Sequence, residues 1–264
     1  MSGETPKDLL DFAVEVAVRA GEVTLAHFQS DLEIERKEDG SPVTIADRES
    51  EELARLLIEA RFPADGIVGE EFGVVRPDAA RRWILDPIDG TASFIRGVPL
   101  YGVLVALEEH EDAVAGILHF PALEETVCAA RGEGCWWNGR RASVTTVADV
   151  QDALILATEA EEIDRRGHGE CWNRLRDTAS MVRTWGDCYG HALVATGRAE
   201  VMLDPVLAIW DAAALRPVIE EAGGVFTDWT GVETHLGGSA ISTNASLANE
   251  VRSLLGVDRT QARP

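Results

Sequence analysis

One stretch constrains this chain more than any other: Trp83 to Phe94, WILDPIDGTASF. Its first half is an apolar run of the kind that crosses a core as a β-strand. The run ends in Asp86, and a second acid, Asp89, follows before Gly90 and Thr91. Delivering two carboxylates at the tip of a buried strand costs desolvation and mutual repulsion unless an opposite charge meets them. Pro87 fixes the backbone between the acids and cannot donate a hydrogen bond, so the strand is expected to stop there. Taken alone, D-P-x-D is at least as well explained as a turn capped by aspartates.

The same pattern recurs elsewhere. Asp47 follows VTIA, Glu70 follows IVG, and Asp211 follows AIW. Asp47, Glu70, Asp86 and Asp89 come from three segments of the first half, and Asp211 comes from the second. Acids carried on strand ends can converge on a rigid scaffold. Hard divalent cations with oxygen ligands relieve such crowding, and Mg²⁺ is the usual ion beside a phosphate. The Ile88 carbonyl offers another oxygen. A helix starting at Gly90-Thr91 would present free N–H groups to a phosphate, and glycine permits close backbone approach. Together these residues make a candidate metal-and-phosphate site.

Periodicity places elements around it. A helical pattern opens at Pro6, and a turn-rich stretch, KEDGSPVTIAD, leads to a second helix over 48–60. Hairpins are expected over 101–121, turning near Glu109 to Asp112, and over 126–142. From ALILAT onward, strands alternate with helices (168–178, 188–196, 210–222 and a closing 245–255), which favours an α/β arrangement. The fold class is therefore α/β, with an α+β half at 1–145 and an α/β half at 146–264 that supplies Asp211.

Composition narrows the function. The chain has 264 residues, 45% hydrophobic, and a formal net charge of -22. Such a surface repels phosphate backbones and anionic membranes, so neither nucleic acid nor a membrane is an expected partner. The start carries distributed acids and no signal-peptide core, so a cytoplasmic location is expected. The cysteines (Cys128, Cys135, Cys171, Cys188) form no C-x-x-C pair, and the six histidines are scattered; no zinc site is expected.

PVTIAD, GIVGEEFG, WILDPIDGTASF and IWDAAALRPVIEEAGG, in that order, resemble the segments of the inositol-monophosphatase superfamily of metal-dependent phosphatases. The resemblance runs over nearly the whole chain; Ser93 departs from it, where asparagine is frequent. It implies a layered αβαβα fold and a homodimer. It implies two or three Mg²⁺ per site, with Glu70, Asp86 and the Ile88 carbonyl on one ion and Asp86, Asp89 and Asp211 on a second. It implies that Asp47 pairs with Thr91 and reaches a third ion through water. Thr91, with Asp47 and Glu70, would orient and deprotonate an attacking water activated at the metal, and the Gly90 and Thr91 amides would hold phosphate. No covalent phospho-enzyme is implied.

The leaving-group pocket, not the metal site, decides the substrate. Asp187 and Asp204 are extra acids where the inositol phosphatases tend to carry a small or hydroxylated residue and a glutamate. Acids facing a leaving group suit a cation, although Asp187 taken by itself is better explained as an N-cap for the helix after it, and the two roles are compatible. The wider wording (GEEFG, FIRGVPLYG, WWNGRRASVT, RTWGDCYGHALVATGRAEVMLDP, GGSAISTN) resembles the bacterial histidinol-phosphate phosphatases. It implies hydrolysis of L-histidinol phosphate in histidine synthesis, with Asp89, Gly90, Thr91, Asp187, Asp204 and Asp211 around the ester. The alternatives are an inositol-1-phosphatase or broad sugar-phosphate phosphatase, and an inactive metabolite-binding homologue.

Overall fold

The computed structural model describes residues 4–37 and 40–257. Residues 38 and 39 of the turn-rich stretch, and the first three and last seven residues, lie outside the described part. The chain opens with helix α1 (Pro6–His27), started by Thr5, whose side chain and Asp8 cap each other's backbone N–H groups,. A two-stranded ribbon, β1 (Glu35–Arg36) and β2 (Pro42–Val43), leads into helix α2 (Ile45–Arg61). Helix α2 begins three residues earlier than its apolar pattern predicts. Thr44 and Asp47 form the same reciprocal cap, which places Asp47 in the first turn of the helix rather than ahead of it,.

Strands β3 (Gly66–Gly69), β4 (Gly73–Val75) and β5 (Arg81–Asp89) precede a single helical turn, α3 (Thr91–Phe94). Next come β6 (Gly102–Glu109), β7 (Asp112–Phe120), β8 (Glu125–Ala130), β9 (Gly134–Trp137) and β10 (Arg140–Arg141). They form an eight-stranded sheet in the order β10-β9-β8-β7-β6-β5-β3-β4. Contrary to expectation, β5 does not stop at Pro87. Its pairing with β6 breaks register between Asp86 and Asp89, then resumes with Asp89 opposite Gly102. The missing proline donor is absorbed by this bulge, which re-aims the two acids.

The second half holds β11 (Leu154–Ala157), a short α4 (Ala160–Ile163), α5 (Gly169–Thr178), β12 (Met181–Arg183) and α6 (Asp187–Ala195). It continues with β13 (Val201–Asp204), α7 (Ile209–Glu221), β14 (Gly224–Thr227), β15 (Ala240–Asn244) and α8 (Ala248–Leu255). Its strands make a mixed five-stranded sheet, β12-β11-β13-β15-β14.

Alternating side chains sort themselves into three apolar layers. Trp83, Leu85, Val103, Val105 and Leu107 face α1 and α2. Ile84, Leu104, Ala106 and Leu118 face the other way, onto α6, α7 and Met202 of the second sheet. Ile155, Val201, Leu203 and Ile241 face Trp172, Leu175, Val251 and Leu255 of α5 and α8. The result is the αβαβα layering that the family resemblance implied. Helix α7 lies between the sheets. It packs so closely on β7 that a Cβ on Gly116 would collide with the Ala214 carbonyl.

Candidate active site

Strand β5 brings Asp86 and Asp89 to the end of the first sheet, and α7 brings Asp211 to the same place in its first turn. One carboxylate oxygen from each of these three residues lies within 4.8 Å of the others. Asp86 is only 2% exposed. Few local donors serve the group. The Ile88 N–H reaches Asp86 Oδ1 at 3.0 Å, and the Ala208 N–H reaches Asp211 Oδ2 at 2.7 Å. The Cys188 N–H, from the first turn of α6, donates to Asp89 Oδ2 at 2.5 Å. Burial, then charge repulsion from Glu70, Asp89 and Asp211, pushes Asp86 well above the usual carboxylate range. Asp89 is pushed up by burial and by Asp187 and Asp211, and Asp211 is raised chiefly by burial.

Glu70 follows β3, and its N–H donates to the Leu85 carbonyl on β5 at 3.3 Å. Its charge contributes to the shift at Asp86, so it borders the cluster. Its carboxylate, however, is engaged by Lys37, whose Nζ lies 2.6 Å from both Glu70 Oε1 and Glu71 Oε1. Sequence reasoning missed Lys37, although it is one of two lysines in the chain. Burial opposes its charge, but hydrogen bonds and charge attraction from Glu70 and Glu71 outweigh it and push the ammonium above its ordinary range.

Asp47 is 1% exposed and accepts from the Thr44 N–H at 2.8 Å and the Thr44 hydroxyl at 2.7 Å. Burial, with help from Glu71 and Glu70, raises it to about 6 against those bonds. The Thr91 hydroxyl donates to the Ile88 carbonyl at 2.9 Å. Among the described residues no hydrogen bond joins Asp47 to Thr91. The implied pairing of these two is not among those bonds; each is bonded to a local partner instead. Gly90 adopts φ 84, which glycine tolerates without strain, and caps α3,.

The leaving-group candidates behave differently from one another. Asp187 does not cap α6 with its side chain; Gly186 holds the N-cap position. Instead Asp187 has φ 52, a left-handed conformation that costs an aspartate free energy,. Its N–H donates to Thr158 Oγ1 at 2.8 Å. Its carboxylate takes no hydrogen bond among the described residues and rests against Gly90, where a Cβ would stand 3.0 Å from Asp187 Oδ2. Burial, then Asp204, Asp211 and Glu159, raises it to about 7. Asp204, at the end of β13, is 3% exposed and is bound by a residue that sequence reasoning passed over, His191, at 2.9 Å.

Three crowded carboxylates, raised above their ordinary range and with no side-chain cation bonded to them among the described residues, are a donor set that suits a hard divalent ion,. Asp86, Asp89 and Asp211 fit it, the Ile88 carbonyl and Glu70 border it, and Asp187 stands beside the D-G-T turn. Residues 5–255 match the model of the inositol monophosphatase family. The chain belongs to the inositol monophosphatase family. The family uses divalent metals, and the acid group described above could bind one.

Among members of the family, the histidinol-phosphatase of Chlorobaculum parvum is 44% identical over 94% of this chain and 96% of the relative. The histidinol-phosphatase of Mycobacterium tuberculosis is 40% identical over 92% of this chain and 96% of its own. Among solved structures, the extragenic suppressor protein suhB from Bartonella henselae superposes with a TM-score of 0.88. It is 26% identical, covering 97% of this chain and 99% of that one. This member of the inositol monophosphatase family is a phosphatase.

Proposed function

We propose that this phosphatase hydrolyses L-histidinol phosphate to L-histidinol and phosphate, with Mg²⁺ held by Glu70, Asp86, the Ile88 carbonyl, Asp89 and Asp211. Asp187 carries the substrate choice. It is a half-buried carboxylate, free of hydrogen bonds among the described residues, pressed against the turn assigned to phosphate. A neutral polyol leaves such an acid uncompensated. A leaving group with an amine and an imidazole forms charge-assisted hydrogen bonds with it. The 44% and 40% identical relatives support the same choice.

Bound at this site, Mg²⁺ would acidify water and offset the charge that spreads over the phosphoryl oxygens during transfer. The chain's own groups do the rest. The Gly90 and Thr91 amides hold the phosphoryl group. Thr91, with Asp47 and Glu70, orients the attacking water and takes its proton. Asp187 and Asp204 bind the leaving group, so that water attacks in line and no residue is phosphorylated. The reading extends to a homodimer and to a cytoplasmic location. Among the described residues no helix is long and apolar enough to cross a membrane.

The test is phosphate release from histidinol phosphate and from inositol 1-phosphate at matched concentrations with Mg²⁺. The expected kcat/KM preference for the histidinol ester is about tenfold or more, and Asp187→Ala should erase most of it. Equal or better turnover of the inositol ester by the unaltered enzyme would overturn the substrate assignment. Failure to turn over any small monoester would return the chain to the inactive reading.

A further inference from the structure

His191 plays no part in the reaction as described, yet it is wholly buried between the two halves of the leaving-group end. It lies four residues after Asp187 on α6. Its Nε2 lies 2.9 Å from Asp204 Oδ2, and its Nδ1 lies 2.8 Å from Ser242 Oγ. A carboxylate can only accept, which places the proton on Nε2 and, in the neutral ring, leaves Nδ1 to accept the Ser242 hydroxyl proton. Both nitrogens are thereby tied, and the ring has one orientation. Ser242 is itself fixed, on β15 opposite Met202 of β13.

This network is poorly explained as structural glue. A buried acid, imidazole and hydroxyl must all be desolvated, and apolar residues of similar volume commonly serve stability as well or better. The network does fix one oxygen of Asp204. The other, Oδ1, takes no hydrogen bond among the described residues. Asp204 is also the foremost neighbouring charge felt by both Asp187 and Asp211. Its charge therefore acts on both of those acids, while one of its oxygens is held by His191 and the other has no hydrogen bond among the described residues.

We propose that His191 is a positioning residue for the leaving group: it holds Asp204 Oδ2 so that Oδ1 faces the site beside Asp187, making a two-carboxylate clamp. The chemistry matched by such a clamp is a leaving alcohol with two cationic or donor nitrogens. The inference rests on the histidinol phosphate reading above, because a substrate without such groups gains nothing from the clamp. His191 touches neither substrate nor metal and acts only through Asp204.

The two amide replacements of His191 separate its two bonds. His191→Gln keeps a donor near the Nε2 position, and His191→Asn does not. The readouts are kcat and KM for histidinol phosphate and for 2-glycerophosphate, a neutral-alcohol ester, together with Tm. For His191→Asn, KM for histidinol phosphate should rise about tenfold, the scale of one misdirected charge-assisted hydrogen bond, with little change in kcat. The kcat/KM ratio between the two esters should fall by the same factor, and His191→Gln should recover most of it. Asp204→Asn should lose the same selectivity, and combining it with His191→Asn should add little, since both act through one carboxylate. Equal losses on both esters, or a Gln variant no better than Asn, would overturn the inference. If His191→Asn does not fold, Ser242→Ala should produce the same selective rise in KM at about two- to threefold; no rise, or equal losses on both esters, would overturn the inference. A wild-type enzyme without preference for histidinol phosphate would instead overturn the substrate reading.

Discussion

A buried acid and a group of three buried and partly buried ones sit at opposite ends of the β5–β6 pair, and they are built on opposite rules. At the start of β5, Glu108 of β6 is 1% exposed, yet each of its oxygens has a cationic or imidazole partner. Arg82 Nε lies 2.7 Å from Oε1, and His235 Nε2 lies 3.0 Å from Oε2. Burial pushes Glu108 up, but His235 and Arg82 outweigh it and hold the carboxyl below its ordinary range. At the other end, Asp86, Asp89 and Asp211 face one another, with backbone donors and, among the described residues, no cationic side chain bonded to them. Burial alone therefore does not mark a functional acid. The mark is burial with the compensating charge left out.

That contrast predicts different consequences when each cluster is cut. The largest effect belongs to Asp89→Asn. Phosphatase activity at saturating Mg²⁺ should fall about a thousandfold or more, because the charge proposed to serve the metal and the transferring phosphoryl group is gone. Thermal scans of the metal-free enzyme should show the same variant as stable as wild type or more so, since one of three repelling carboxylates is neutral. Normal activity at low Mg²⁺ would break the ligand assignment.

Glu108→Gln should do the reverse. Removing the acid strands Arg82 and His235, and urea unfolding should show a loss of about 2 kcal/mol. Activity per folded molecule should persist, because this end of the sheet is remote from the chemistry. A stable variant, or one that folds normally but is inactive, would erase the distinction between the two ends.

The smallest effect sharpens the comparison through pH. Asp47 is raised to about 6 and Asp187 to about 7, and Glu70, Asp86, Asp89 and Asp211 are raised as well. In the window from the unfolded value near 4 up to these folded values, the folded chain binds more protons than the unfolded one. Stability then falls as pH rises. The Tm of the metal-free enzyme should drop by several degrees between pH 5 and pH 8. Mg²⁺ should restore it, with a larger gain at pH 8 than at pH 5. A metal-free Tm that rises across that window would show the acids to be compensated already.

Much of this was legible in the chain itself. The apolar runs that end in Asp86, Glu70 and Asp211 declared where elements deliver charge, and the strand–helix alternation declared the layers. Other features depend on partners far away in sequence. Asp187 reads as a helix cap because aspartate before a helix usually is one, but Gly186 takes the N-cap position, and Asp187 sits at φ 52 with its N–H given to Thr158, far back in the chain. The continuation of β5 past Pro87 depends on β6 accepting a bulge. Lys37 and His191 carried no motif, and their roles appear only when Glu70, Glu71 and Asp204 are folded against them. Asp47 and Thr91 show the converse. The sequence pairs them by resemblance, while local geometry gives each a different bond.

The tight seat of α7 on Gly116 has a consequence for tolerance. Asp86 and Asp89 belong to the eight-stranded sheet, while Asp211 rides on the helix one turn before Ala214, whose carbonyl touches the Gly116 position. That contact acts as a gauge block between two halves that are far apart in sequence. The clearance at a glycine with no chemistry of its own sets the gap across which the two sets of carboxylates meet.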